Sequence, residues 1–437
     1  MQTSQLASSP VASRAAPAWK RIDRDACARR IARAIKKLSA PPFTSGSAGV
    51  TRYAFTEAYM LALGYLSDQL NDLGFAVKLD PVGNLIARNC PSSSAAVGLG
   101  SHCDSVRGGG SYDGTLGVLA AIEVARLSYE QGYDLPLQVI SWVEEEASGF
   151  GEMLLGSRLA TGWIDERALR TKVRSLDDGQ SFFDHAREAG LEPERASEAS
   201  SAIENLTAWI ELHIEQGRVL EDAGEQFGVV EAIAGYVHAD IEIHGQPDHA
   251  GATPMGLRRD AAIVAAQFML ELERLAIEAA GGSVATVGEI TLDPGAINII
   301  PGRARLSLDV RAPIDTTVSS IIEKATTTAD ELALSRGLQA IYRERQRMPS
   351  AALAPTVVKA IERSVEATGA PWRRMMSGAA HDTMCIASHV PSAMLFVPCR
   401  HGISHSPREY ASPADAALGV EVLLNTVMEL SKPGGSR

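Results

Sequence analysis

Val97-Gly-Leu-Gly-Ser101-His102-Cys-Asp104, then Thr115-Leu-Gly-Val-Leu-Ala-Ala-Ile-Glu-Val-Ala-Arg-Leu-Ser-Tyr-Glu130, then Leu137-Gln-Val-Ile-Ser-Trp-Val143, form the stretch that decides the fold. The two short apolar runs lack polar alternation and suit strands buried on both faces. The segment between them suits a helix. A strand, a helix and a second buried strand make a βαβ unit, and hence a mostly parallel sheet with helices on both faces. Such sheets bind ligands beyond the carboxyl ends of their strands. His102 ends the first run and Glu144-Glu145-Glu146 follows the second, so an imidazole and carboxylates meet where divalent cations are held.

Outward from this unit, residues 23–37 and 56–73 read as amphipathic helices, with short strands at Val77–Leu79 and Asn84–Ala87. The texture changes near Gly228. Strand character over Val229–His244, a helix over Arg258–Ala280, strands over Ser283–Thr291 and Asn298–Arg311, a helix over Thr316–Arg336 and a strand over Leu338–Arg347 give the βαββαβ order of a ferredoxin-like unit. Helices at Pro355–Thr368 and His381–Ala387, a buried strand at Ala393–Val397 and a closing helix at Pro413–Leu430, capped by Ser412, return the chain to the first sheet. The expected division is a disordered N-terminus over 1–22, an α/β catalytic domain over 23–227 and 349–437, and an inserted domain over 228–348. Residues 189–203 read as a polar connection.

Bulk properties narrow the classes. A chain of 437 residues exceeds one ordinary core, and 45% hydrophobic with 22% charged residues is a globular composition. A net charge of −12 without a Lys/Arg stripe argues against nucleic acid and for a small polar substrate. Five scattered cysteines suggest reduced thiols and a cytoplasmic location. No apolar run is of membrane-spanning length. The Ala/Ser-rich, acid-free start has no apolar h-region, so it reads as disordered or trimmed.

His102 and Asp104 are two apart on an extended segment and point the same way, so Asp104 is placed to accept from the non-ligating ring nitrogen of His102. Asp113, opening a helix before Gly114, taken alone reads as a cap. Three adjacent carboxylates at 144–146, taken alone, read as a solvated acidic loop; beside the His-x-Asp motif they read as cation ligands.

These segments, Gly-Ser-His102-Cys-Asp104-Ser-Val, Gly108-Gly-Gly-Ser-Tyr-Asp113-Gly114 and Glu144-Glu-Glu-Ala-Ser-Gly-Phe150, resemble the M20 family of metal-dependent amidohydrolases and peptidases. Four more motifs resemble its hydantoinase/carbamoylase branch, which includes N-carbamoyl-L-amino-acid hydrolases, β-ureidopropionases and allantoate amidohydrolases. They are Leu212-His213-Ile-Glu-Gln216-Gly217, Asp248-His249-Ala-Gly-Ala-Thr-Pro254-Met255, Asn298-Ile-Ile-Pro-Gly302 and Gly402-Ile-Ser-His405-Ser-Pro407. The likeness spans roughly residues 55–425.

The resemblance implies an α/β dimetal catalytic domain with an inserted lid that also makes a homodimer. It implies two divalent ions (Zn, Mn, Co or Ni), one bound by His102 and His213, one by Glu146 and His405, with Asp113 bridging. Three imidazoles and two carboxylates carry −2 against +4, a net positive centre that acidifies water toward a pKa of ~7. Glu145 is then the general base and His249 the oxyanion stabiliser, reaching toward a partner subunit. Asn298 and Arg311 grip the substrate carboxylate and Gln216 the ureido group; Arg311 also reads simply as a surface strand charge. His213 stands where peptidase and aminoacylase branches carry an acid. His381-Asp382 matches a family motif and equally suits helix capping; His401 is a bystander; His185, His238, His244 and His389 match nothing. Gly149, Ala380, Cys103 and Ala252 depart from the family pattern, and Gly149, where the family has Arg, bears on the substrate. The expected activity is hydrolysis of the C–N bond of an N-carbamoyl amino acid or allantoate-like ureido acid. The alternatives are an M20 aminoacylase or dipeptidase, and a catalytically silent binding protein.

Overall fold

A computed structural model of the chain describes residues 20–46, 48–279 and 281–432. Of the N-terminal stretch read as disordered, residues 1–19 lie outside the described residues. The Lys20 and Ile22 N–H groups bond to Asn425 and Glu421 of the closing helix Pro413–Leu430.

The chain is mixed α/β. Among the described residues the strands form one nine-stranded sheet, one four-stranded sheet and a two-stranded ribbon. Four parallel strands make the heart of the large sheet, in the order Leu137–Trp142, Ala96–His102, Leu206–Ile214, Ser392–Val397. Three of these are buried at every position, and the fourth at all but one, which is why their sequences are mainly apolar; buried polar residues among them are bonded, as Ser101 is to Glu211 and Gln138 to the Ala202 carbonyl. Helix Thr115–Glu130, nearly all buried, covers this heart together with Pro413–Leu430. Helix Arg24–Leu38 starts on an Asp23 cap and buries Cys27, Ile31, Ile35 and Leu38, one helical face.

The four-stranded sheet is antiparallel throughout, ordered Gln339–Met348, Gly235–His244, Arg303–Ala312, Val284–Asp293. Helices Ala261–Ala279 and Asp315–Leu334 pack on it around a hydrophobic cluster separate from the main one. Its element order is βαββαβ.

Two boundaries differ from the sequence reading. The single strand expected over Val229–His244 is two: Phe227–Ile233 pairs with Ser392–Val397 in the large sheet, and only Gly235–His244 enters the small one. The second sheet therefore begins at 235, not 228. Both halves are apolar and β-branched, and the switch at Ala234 is made by its N–H bonding to the Ser377 carbonyl. The strand expected over Asn298–Arg311 also breaks, at Pro301-Gly302. Its first part, Ile299–Ile300, pairs with Asp248–His249. Residues 193–202, read as a connection, are 3-10 helical. No described helix is long and apolar enough to cross a membrane.

Candidate metal centre

The four central parallel strands deliver their carboxyl ends to one place. His102 ends its strand in register with Trp142, and Glu144–Glu146 follow directly after Trp142-Val143. His213 lies near the end of Leu206–Ile214 in register with Phe396, and His405 follows in the loop after Val397. Asp113 arrives on the loop between His102 and helix Thr115–Glu130. This loop needs glycine at 114, where φ is +58° and an added Cβ would lie 2.3 Å from the His102 ring.

Asp113 is the hub. Its Oδ1 is 3.1 Å from His213 Nε2 and 3.8 Å from His102 Nε2. Its Oδ2 is 3.2 Å from His405 Nε2, which is itself 3.4 Å from Glu146 Oε2. Potential ligand atoms group within 4.8 Å of one another as His102/Asp113/His213, Asp113/Glu146/His405 and His102/Glu145/Glu146. The far side of each ring on the first pair is fixed by the backbone: His213 Nδ1 lies 2.9 Å from the Ile214 carbonyl, and His102 Nδ1 3.2 Å from that of Asp104. Each Nδ1 is thus held by a backbone carbonyl and each Nε2 is turned toward the centre, that of His213 also lying 3.2 Å from the Gly114 N. Asp104 also sets its Oδ1 at 3.5 Å from His102 Nδ1 and accepts from the Glu146 N–H through Oδ2.

The electrostatics call for cations. Burial disfavours charged imidazoles at His102 and His213, yet the surrounding carboxylates outweigh it and push both upward. Its bond to Asp113 pushes His405 up to about 9. Burial, aided by Asp113, pushes Glu146 up to about 8, and its Oε1 is buried without a partner. Burial would raise Asp113, but hydrogen bonds from His213 and His405 hold it well below the carboxylate range. Three imidazoles, two carboxylates and an unsatisfied carboxylate oxygen suit divalent metal ions.

Glu145 is buried 3.8 Å from His102 Nε2, and its carboxylate has no hydrogen bond among the described residues. Burial pushes it well above the ordinary carboxylate range, despite His102. Glu144 turns away: its Oε1 accepts from the Gly149 and Phe150 N–H groups, and a Cβ at 149 would meet its Oε2 at 2.9 Å. Glycine at this departure from the family thus fits the loop as folded.

The remaining candidates divide. Gln216 comes to the cluster, donating from Nε2 to Asp113 Oδ2 at 2.8 Å, with its Oε1 buried and unpartnered. His249 and Asn298 are brought together instead on the two-stranded ribbon, the Asn298 carbonyl accepting from the Ala250 N–H. Both are exposed, and among the described residues no hydrogen bond or ion pair links either to the cluster. Arg311 gives Nε and Nη2 to Asp309 and Nη1 to the Gly378 carbonyl, so it spans the two sheets' territories. His381 backs the centre, packed edge-on against His213 at 4.5 Å and bonded through Nε2 to Ser377, while Asp382 accepts from Ser157. His401 bonds to Glu221, away from the cluster. Sequence reasoning passed over Ser404 and Glu409, which both contact the Asp113 loop.

Comparison with known proteins identifies the family. The profile of Peptidase family M20/M25/M40 matches residues 98–429. An N-carbamoyl-L-amino-acid amidohydrolase of Paenarthrobacter aurescens is 38% identical over 93% of this chain and 98% of its own length. A ureidoglycolate hydrolase of Oryza sativa subsp. japonica is 37% identical over 87% of this chain and 80% of its own. The crystal structure of a hydantoinase/carbamoylase family amidase from Burkholderia multivorans superimposes with a TM-score of 0.86 at 30% identity, covering 94% of this chain and 99% of that one. The chain belongs to peptidase family M20/M25/M40, in its hydantoinase/carbamoylase branch of hydrolases.

Proposed function

We propose that the chain is a two-metal amidohydrolase that cleaves the C–N bond of an N-carbamoyl amino acid or an allantoate-like ureido acid. The observation that carries this reading is the division of Asp113. One oxygen faces His102 and His213 and the other faces His405 beside Glu146, so a single carboxylate serves two positions. Divalent Zn, Mn, Co or Ni bound there supplies Lewis-acid polarisation of the scissile carbonyl and water acidified toward a pKa of ~7.

Glu145 takes the proton of the attacking water and passes it to the leaving nitrogen; its lack of a hydrogen bond and its burial make it a ready acceptor. The free Gln216 Oε1 is an acceptor for a ureido N–H. His249 Nδ1 accepts from the Gly251 and Ala252 N–H groups, so its proton sits on Nε2, as a donor to a developing oxyanion requires. Arg311 keeps one N–H on each terminal nitrogen for a substrate carboxylate, and Asn298 adds a further polar group.

The test is a substrate panel on protein loaded with Mn²⁺ or Zn²⁺. N-carbamoyl amino acids or allantoate should release ammonia in step with product, the ureido group plus water yielding amine, carbon dioxide and ammonia. Cleavage of N-acyl amino acids or dipeptides without any ureido turnover overturns the reading in favour of an aminoacylase or dipeptidase. A chain binding far less than two ions is a silent relative.

The inserted unit, residues 235–348, acts as lid and as the contact of a homodimer. Support comes from strand Val284–Asp293, an open edge of its sheet, and from the adjacent helix Ala261–Ala279. On that helix Leu270 and Ile277 are 69% and 72% exposed, and with Ile263 they form a stripe at seven-residue spacing. An open edge beside an apolar stripe is a template for a second copy. Leu270→Asp should therefore halve the mass seen by light scattering at micromolar concentration; an unchanged mass rejects this contact. The exposed His249 then serves the second copy's centre.

A further inference from the structure

We propose that Glu409 is a positioning residue that ties the Asp113 loop to the His405 loop, and that binding of the ion at Asp113, Glu146 and His405 depends on this tie. The proposal rests on the two-ion reading above.

Glu409 is buried and lies four residues beyond His405 on the same loop. Its Oε1 accepts from the Tyr112 N–H at 2.8 Å and the Asp113 N–H at 3.0 Å. Its Oε2 is 2.8 Å from Ser404 Oγ, and that same hydroxyl lies 2.9 Å from Asp113 Oδ2. One side chain thus grips the backbone of Asp113 and, through the residue adjoining His405, reaches the Asp113 carboxylate. Tyr112 and Asp113 precede helix Thr115–Glu130, and Glu409 supplies the acceptor for both N–H groups, for Asp113 from 296 residues away.

The surrounding loops are shaped around this carboxylate. An added Cβ at Gly110 would lie 2.0 Å from Glu409 Cδ and Oε1, so glycine there leaves the space that Glu409 fills. The neighbouring rings of Tyr112 and Tyr410 meet edge-to-face at 5.6 Å, closing the same seam. Ligand sites tolerate about half an ångström of looseness. Loss of Glu409 leaves two buried N–H groups without an acceptor and frees the loop to move farther than that.

The experiment is stepwise Mn²⁺ titration of chelator-stripped full-length protein by calorimetry, with kcat and KM measured alongside. Glu409→Ala should weaken one of the two binding steps by about 10–100-fold and the other by less, since Asp113 is shared by both ions while His405 serves only one. Glu409→Gln should restore binding, since the amide oxygen still accepts from both N–H groups and the amide N–H can donate to Ser404. Gly110→Ala, which displaces Glu409 without deleting a polar group, should reproduce the loss and decides the matter if Glu409→Ala fails to fold. Two parental binding steps in Glu409→Ala or in Gly110→Ala overturn the proposal, as does Glu409→Gln falling as far as Glu409→Ala. If the parent chain binds fewer than two ions, the two-ion reading itself fails.

Discussion

Glu145→Gln should fold, bind two ions per chain and turn over about a thousandfold more slowly than the parent. Glutamine has nearly the same shape as glutamate, and the Glu145 carboxylate makes no hydrogen bond among the described residues, so the exchange breaks no structural contact. What it removes is a proton acceptor, and general acid–base groups contribute about 10²–10⁴ in rate. A thousandfold loss corresponds to about 4 kcal/mol of barrier. The ion count separates this from ligand loss: Glu145 also groups with His102 and Glu146 as a potential ligand. If the variant keeps two ions and loses turnover at unchanged KM, Glu145 is the base. If an ion departs with the activity, Glu145 is a ligand; if kcat is parental, it is neither.

The residues of this centre were legible to unequal degrees, and the difference is physical. Ala96–His102 and Leu137–Trp142 are buried throughout, so their sequences are mainly apolar without strict alternation, and their ends stand out by the charged residues that follow. Helix Thr115–Glu130 spans the residues expected of it because glycine precedes it and Gln131-Gly132 follows. The break at Ala234 left no mark, since the chain passes between two sheets with apolar residues on either side. Strand Trp372–Ser377 escaped notice because its Arg373-Arg374 pair is bonded outward to Glu225 and Glu362. Glu409 belongs to no repeating pattern; its meaning comes from a contact that only the folded chain creates. Arg311 illustrates a further limit. A charged residue at a strand end reads as a ligand fork, but Asp309, two positions back on the same face, already occupies part of that fork.

Asp113→Asn should lose both ions at metal concentrations that saturate the parent, and activity should fall to background. The two oxygens of the parent carboxylate have different partners: Oδ1 faces the Nε2 atoms of His213 and His102 at 3.1 and 3.8 Å, while Oδ2 receives Gln216 Nε2 and Ser404 Oγ. An amide satisfies Gln216 and Ser404 only by turning its oxygen to them, which points its NH₂ at the two imidazoles. That group is no ligand. The opposite flip sets NH₂ against the Gln216 donor, at the cost of a buried unsatisfied pair. Either way one ligand position and one negative charge vanish from a centre holding +4 against −2, and both ions weaken together. Thermal melting gives an independent readout. Chelator should lower the Tm of the parent, because bound ions stabilise the folded state by mass action, and leave Asp113→Asn unchanged. An Asp113→Asn protein that still binds one ion tightly would mean that the two positions are separate sites, each complete without a shared carboxylate.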